Sequence, residues 1–194
     1  MKQRIGILGG TFNPIHLGHL LIAQDALEQA GLDRVIFIPS ATPPHKPLAG
    51  NVSSAHRLQM VRRALATDPR FAVDDLEIRR GGRSYSVETM TELRTRHPDA
   101  TFYFIIGTDS LNELHLWREA SRLVKLCRFI AVARPGYRPQ PARQLTGLRY
   151  QLLSTHPCEI ASRDIRTRIA QQKSIRYLVP EPVRRYIETK KVYQ

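Results

Sequence analysis

Apolar positions along this chain of 194 residues follow two periods. Short runs apolar at nearly every position occur at Ile5–Leu8, Arg34–Pro39, Thr101–Ile106 and Cys127–Val132. Runs of that length and type predict strands buried on both faces, as in a parallel sheet. Phe71–Ile78 predicts another. Between them lie stretches with helical spacing: Leu20, Ala23, Leu27 and Ala30; then Leu58, Val61 and Leu65; then Val87, Met90 and Leu93. Ser54 and Ser86 are placed to cap the second and third helices, and Ser162 a later one. Gly31, Asp68-Pro69 and Pro98 supply stops. Residues 138–150, rich in Pro, Gln and Arg, predict a loop. Strand and helix patterns in alternation predict an α/β protein, a parallel sheet with helices on both faces. No repeat or linker divides the chain, so it reads as a single domain over 1–194 with a helical C-terminal part from about 160 to 194.

Composition adds boundaries. Hydrophobic residues make up 42% and charged residues 24%, ordinary for a globular protein. No run of 18 or more apolar residues predicts a membrane span, and no signal or transit pattern opens the chain. Two widely spaced cysteines, Cys127 and Cys158, are too few for a disulfide framework or a zinc site. The expectation is a reduced, cytoplasmic protein. Thirty Lys and Arg against 17 Asp and Glu give a net charge of +13, which attracts polyanions. The basic residues are spread along the chain and no aromatic-basic nucleic-acid module is visible. Small phosphorylated ligands are therefore favoured over nucleic acid as partners.

The chemistry concentrates after the first strand, in Gly9-Gly10-Thr11-Phe12-Asn13-Pro14-Ile15-His16-Leu17-Gly18-His19. A glycine pair lets the backbone turn sharply and a ligand come close. A helix start beyond it offers unpaired N–H groups and partial positive charge, which suit a phosphate. His16 and His19 are three apart and can project to one side. Other candidates lie beyond later strands: His45 and Lys46 in a proline-stiffened loop, Gly107 and Asp109 after Thr101–Ile106, and Ser162 and Arg166 near a helix start. From the residues alone several stay open. The His45-Lys46 loop fits a solvated turn equally well, Asp109 a helix cap, and the lone Trp117 the core.

The stretch Gly9–His19 resembles the signature G-G-T-F-D-P-x-H-x-G-H of the nucleotidyltransferase superfamily, with Asn13 where Asp is usual. Pro44-His45-Lys46, Ser84-Tyr85-Ser86, Gly107-x-Asp109, Trp117, Arg134-Pro135-Gly136 and Ile160–Arg166 resemble motifs of its nicotinate-mononucleotide adenylyltransferase branch. That resemblance implies a Rossmann-like, doubly wound parallel sheet. It implies transfer of adenylyl from ATP to nicotinate mononucleotide. Mg²⁺ would be held mainly by phosphates, without a protein metal site. It assigns His16, His19, Lys46 and Arg166 to catalysis. Gly9, Gly10, Thr11, Phe12, Gly107, Asp109, Arg134 and Ser162 join them around ATP, and His45, Tyr85, Ser86 and Trp117 serve the pyridine nucleotide. Arg118 stands where the branch usually carries a second aromatic ring. Pantetheine-phosphate adenylyltransferases and cytidylyltransferases share the signature and are the nearest rivals; a basic nucleic-acid-binding module is the rival from another class. The sequence leaves the oligomeric state open.

Overall fold

Six strands make one sheet: β1 (Arg4–Gly10), β2 (Arg34–Pro39), β3 (Phe71–Val73), β4 (Thr101–Gly107), β5 (Arg128–Val132) and β6 (Tyr150–Leu153). The structure is a computed structural model that describes residues 2–43, 50, 52–133, 138–141, 145–156 and 158–194. The strand order is β3-β2-β1-β4-β5-β6. β4 runs parallel to both β1 and β5, and β5 parallel to β6. In β1, β2, β4 and β5, four or five successive residues are buried. Successive side chains point to opposite faces, so both faces of these strands are covered. That is why their sequences are continuously apolar rather than alternating. Chain progression reverses between β1 and β4, and in such sheets ligands bind beyond the C-terminal ends of strands at that point.

The helices are α1 (Leu17–Gln29), α2 (Ser54–Leu65), α3 (Leu76–Arg80), α4 (Ser86–Arg96), α5 (Thr108–Asn112), α6 (Ala120–Leu126), α7 (Ser162–Ala170) and α8 (Glu181–Thr189). Contacts group the chain into two compact units. The first takes Met1–Gly9, Ile22–Ile36 and Tyr85–His156. Its core includes Phe102, Phe104 and Phe129. Its Asp25, 2% exposed, accepts from the His156 backbone N–H at 2.9 Å and faces the His156 ring at 2.7 Å. The second takes Gly10–Leu21, Phe37–Ser84 and Pro157–Gln194. In it Phe12, Phe37 and Phe71 follow one another at 5.7 and 5.8 Å. Tyr186 of α8 meets α2 through His56, at 2.8 Å, and lies under the Arg63 guanidinium at 4.5 Å.

Local detail departs from the sequence reading in several places. The strand expected over Phe71–Ile78 stops at Val73. Asp74 accepts from the Leu76 N–H at 2.9 Å, an Asx turn that starts α3 instead. The cap of α2 is Ser53, which accepts from the His56 N–H, not Ser54. Ser86 and Ser162 are the first residues of their helices; the cap positions belong to Tyr85 and Ala161, neither of which caps with its side chain. Tyr150, expected in a loop, begins β6, because β5 supplies a parallel ladder. Cys127 ends α6 rather than starting a strand. It is buried, and burial pushes its thiol up to about 12. The short helices α5 and α6 were not anticipated from periodicity, being five and seven residues long.

Candidate active site

The signature folds as strand, turn and helix start, as its sequence predicts. Gly10 closes β1, and α1 begins at Leu17. Phe12 holds a left-handed backbone at φ 48° and is 2% exposed. Its ring packs edge-on beneath His19, centroids 5.0 Å apart. His16 and His19 come together, ring centroids 3.7 Å apart and planes tilted by 31°. Gly18 between them cannot carry a side chain freely. A Cβ there would sit 3.1 Å from His16 Nδ1 and 3.4 Å from Cys158 Sγ. Glycine between the histidines therefore lets the His16 ring pack close to the helix start without being displaced.

The His16 backbone N–H donates to His19 Nδ1 at 3.3 Å. That acceptor role leaves the neutral His19 ring with its proton on Nε2, free to donate outward. His16 is 7% exposed, and among the described residues its Nδ1 has no partner. A buried polar atom without a partner is costly and calls for a ligand or water. Burial lowers His16 to about 4. Burial first, then the neighbouring His16, carries His19 well below the usual imidazole range. Both rings are thus neutral donors at pH 7 in the free protein, and an arriving triphosphate would draw protons toward them.

This has a consequence for stability. An unfolded imidazole takes its proton near pH 6.5. The folded His16 resists protonation down to about pH 4. Between these values the unfolded chain binds more protons at this site, so the His16 contribution to stability is level from about pH 6.5 upward and falls as pH drops toward 4. Urea unfolding across that window is expected to show the fall, and the double variant His16→Gln, His19→Gln a shallower one. An identical slope in the variant would assign the fall to other groups.

Distant side chains hold the turn by its carbonyls. Arg57 of α2, wholly buried, donates to Thr11 O at 2.7 Å and to Ala41 O at 2.9 Å. Arg166 of α7 donates to Asn13 O at 2.6 Å. Ser162 Oγ donates to Pro14 O at 2.8 Å. Tyr193 donates to Asn13 Oδ1 at 2.7 Å, and the Ser40 N–H takes Gly10 O at 2.9 Å. Among the described residues neither Arg57 nor Arg166 has a carboxylate partner in an ion pair. Their charges stay uncompensated beside the turn, which favours a polyanion. Two expectations are refined here. The Ser162 hydroxyl proton is committed to Pro14, so only its backbone N–H could face a phosphate. The Leu17 N–H at the start of α1 is likewise committed, to Leu178 O at 3.0 Å. Arg57 and Tyr193 were not found by sequence reasoning; they match no motif quoted above, and only the folded chain brings them to Thr11 and Asn13.

The remaining candidates of the first unit are placed as follows. Gly107 ends β4 and occupies the cap position of α5, and Asp109 lies in that helix's first turn. A Cβ on Gly107 would meet Asp109 Oδ1, so a larger residue there would force the Asp109 carboxylate to turn aside. A Cβ on Gly9 would lie 3.5 Å from the Phe104 ring. Trp117 is half-buried, edge-on to Phe104 at 6.1 Å. Tyr85 lies under the Arg118 guanidinium at 4.4 Å, and Arg118 also pairs with Glu88 at 3.3 Å. Arg118 thus stacks on an aromatic ring where the branch supplies one. His45, Lys46 and Arg134 lie outside the described residues. No group of three or more His, Cys, Asp or Glu among the described residues could hold a metal ion. No helix among them is long and apolar enough to cross a membrane.

The cytidylyltransferase-like family matches residues 7–168. A protein of Citrifermentans bemidjiense named "probable nicotinate-nucleotide adenylyltransferase" is 45% identical over 212 residues, covering 98% of each chain. One of the same name from Exiguobacterium sibiricum is 47% identical, covering 98% of this chain and 99% of its own. The solved Plasmodium falciparum nicotinic acid mononucleotide adenylyltransferase, complexed with NaAD, aligns with TM-score 0.80 over 98% of this chain and 97% of its own. At 20% identity that likeness speaks for the fold. Identity carried end to end, on a chain whose first turn bears the paired imidazoles, is decisive: this chain belongs to the nicotinate-nucleotide adenylyltransferases, within the cytidylyltransferase-like family.

Proposed function

We propose that this chain transfers the adenylyl group of ATP to nicotinate mononucleotide, giving deamido-NAD and pyrophosphate. The observation that carries the reading is the His16–His19 pair, stacked at 3.7 Å on a turn flanked by two uncompensated guanidinium groups. A phosphate oxygen of the mononucleotide attacks the α-phosphorus, and the bond from that phosphorus to the bridging oxygen breaks. Pyrophosphate leaves with the electron pair. The second phosphate pKa is about 6, so the nucleophile is already ionised and no general base is needed. What the protein supplies is approach of two polyanions and donors fixed where phosphoryl charge builds.

In this reading His16 and His19 donate to phosphate oxygens, Arg166 and Lys46 neutralise them, and Gly9–Phe12 shape the turn that admits them. Gly107, Asp109, Arg134 and Ser162 complete the ATP contacts. Trp117 and Tyr85 offer ring faces to the pyridine, with Ser86 and His45 beside the nucleotide. Mg²⁺ would be carried by ATP itself rather than by a protein site, and would supply neutralisation of phosphate charge, in keeping with its few protein ligands. Nucleotides rather than nucleic acid are the partners, and the cytoplasm is the expected compartment.

The test is direct. With ATP, Mg²⁺ and nicotinate mononucleotide, pyrophosphate should be released, and faster than with nicotinamide mononucleotide or phosphopantetheine. Release with phosphopantetheine alone reassigns the branch. No turnover with any acceptor, together with salt-sensitive binding of nucleic acid, favours a binding module.

A further inference from the structure

The signature turn is closed from the far end of the chain. Beyond α8 the backbone passes through left-handed conformations at Lys191, φ 49°, and Tyr193, φ 76°. Both are side-chain-bearing residues, for which this region is disfavoured. The turn is held by the Val192 N–H donating to Ile187 O at 3.0 Å, with Val192 itself 5% exposed. This reversal brings the Tyr193 phenol inward, where it donates to Asn13 Oδ1 at 2.7 Å across 180 positions of sequence. Burial pushes the phenol up despite the neighbouring Arg166 and Arg57 charges. It therefore stays protonated and remains a donor throughout the neutral range.

Asn13 is the point at which three elements meet. Its side-chain oxygen takes the Tyr193 hydroxyl, and its backbone oxygen takes Arg166 Nη1 at 2.6 Å. Asn13 is 5% exposed, so both acceptors are shielded from water, where an unmade hydrogen bond is costly. Arg166 is the group assigned to the phosphates. A guanidinium held through one backbone oxygen is only as well placed as that oxygen.

From this we infer that Tyr193 is a positioning residue for adenylyl transfer: its hydroxyl fixes Asn13, and Asn13 fixes the Arg166 guanidinium. The inference rests on the adenylyltransferase reading above. Displacements of about 1 Å at a positioning group can cost on the order of 10²-fold in rate, so loss of one tether should be visible in kcat. It explains why a C-terminal segment far from any motif is folded back into the first turn. It also explains why Asn serves at position 13: the phenol needs an acceptor oxygen, which Asn and Asp both supply.

Tyr193→Phe keeps the ring and removes only the donor. The expected result is a fall in kcat of about tenfold, a KM for nicotinate mononucleotide changed by less than about twofold, and a melting temperature within a few degrees of wild type. Asn13→Ala should lower kcat similarly, and the double variant should be no worse than Asn13→Ala alone, since both remove the same tether. Asn13→Asp, which keeps the acceptor, should hold kcat within about threefold of wild type. A merely structural tether would lower the melting temperature and leave kcat per folded molecule unchanged; that outcome, or additive losses in the double variant, overturns the inference. Wild-type turnover with an unaffected Tyr193→Phe sinks this role alone, whereas absent wild-type turnover with nicotinate mononucleotide sinks the reading beneath it as well.

Discussion

His19→Ala is expected to lower kcat by about 10²–10³-fold, the usual cost of removing one preorganised donor to developing charge. The Nε2 proton is set by the His16 N–H donating to Nδ1, so the ring delivers a fixed donor without needing to be charged. The fold should survive, because His19 is only partly buried and the turn carbonyls are held by other side chains. Circular dichroism and steady-state rates decide the matter. His19→Gln, which keeps a donor at similar reach on a more flexible amide, should recover only part of the loss. Near-normal turnover of His19→Ala would remove His19 from the machinery and throw the burden onto His16.

The largest expected effect on stability belongs to Arg57. Arg57→Ala deletes a wholly buried side chain and strips two carbonyls, Thr11 O and Ala41 O, of their donors. A cavity of that kind costs about 2–5 kcal/mol, and each unsatisfied buried carbonyl about 1–3 kcal/mol. Against this, the variant no longer buries a cation without a carboxylate partner, whose desolvation costs several kcal/mol. The three terms net to a loss of about 3 kcal/mol, or a melting temperature lower by about 6–12 °C for a chain of this length. Arg57→Met, which refills the volume but restores neither donor nor charge, separates the effects. It should recover about half of the lost stability, while the KM for ATP should be raised in both variants, since each removes the positive charge beside the turn. Full stability in Arg57→Met with normal activity would mean that neither the hydrogen bonds nor the charge matters.

Much of this was legible beforehand. Four strands and three helices follow from apolar spacing, and the glycine turn with its paired histidines follows from composition and order alone. The misplacements share one cause. Ser53 rather than Ser54, Tyr85 rather than Ser86 and Ala161 rather than Ser162 are one-residue questions of where helical dihedrals begin, which spacing does not specify. The Phe71–Ile78 run stops short because the Asp74 carboxylate accepts from the Leu76 N–H and starts α3, directly after the Asp74 N–H makes its bond to β2 at Phe37 O.

By itself the amino-acid order determined the alternation of buried strands and helices and the local geometry of H-x-G-H, because period, glycine and histidine act over a few residues. Only the tertiary structure decided which carbonyls of the turn are held, and by what. Arg57, Ser162, Arg166 and Tyr193 reach it from 46 to 180 positions away. Their hydrogen bonds exist only once packing has brought those segments together, and no local rule encodes a partner at that distance. The same packing sets the imidazoles neutral, since the lowered pKa values come from burial rather than from residue identity.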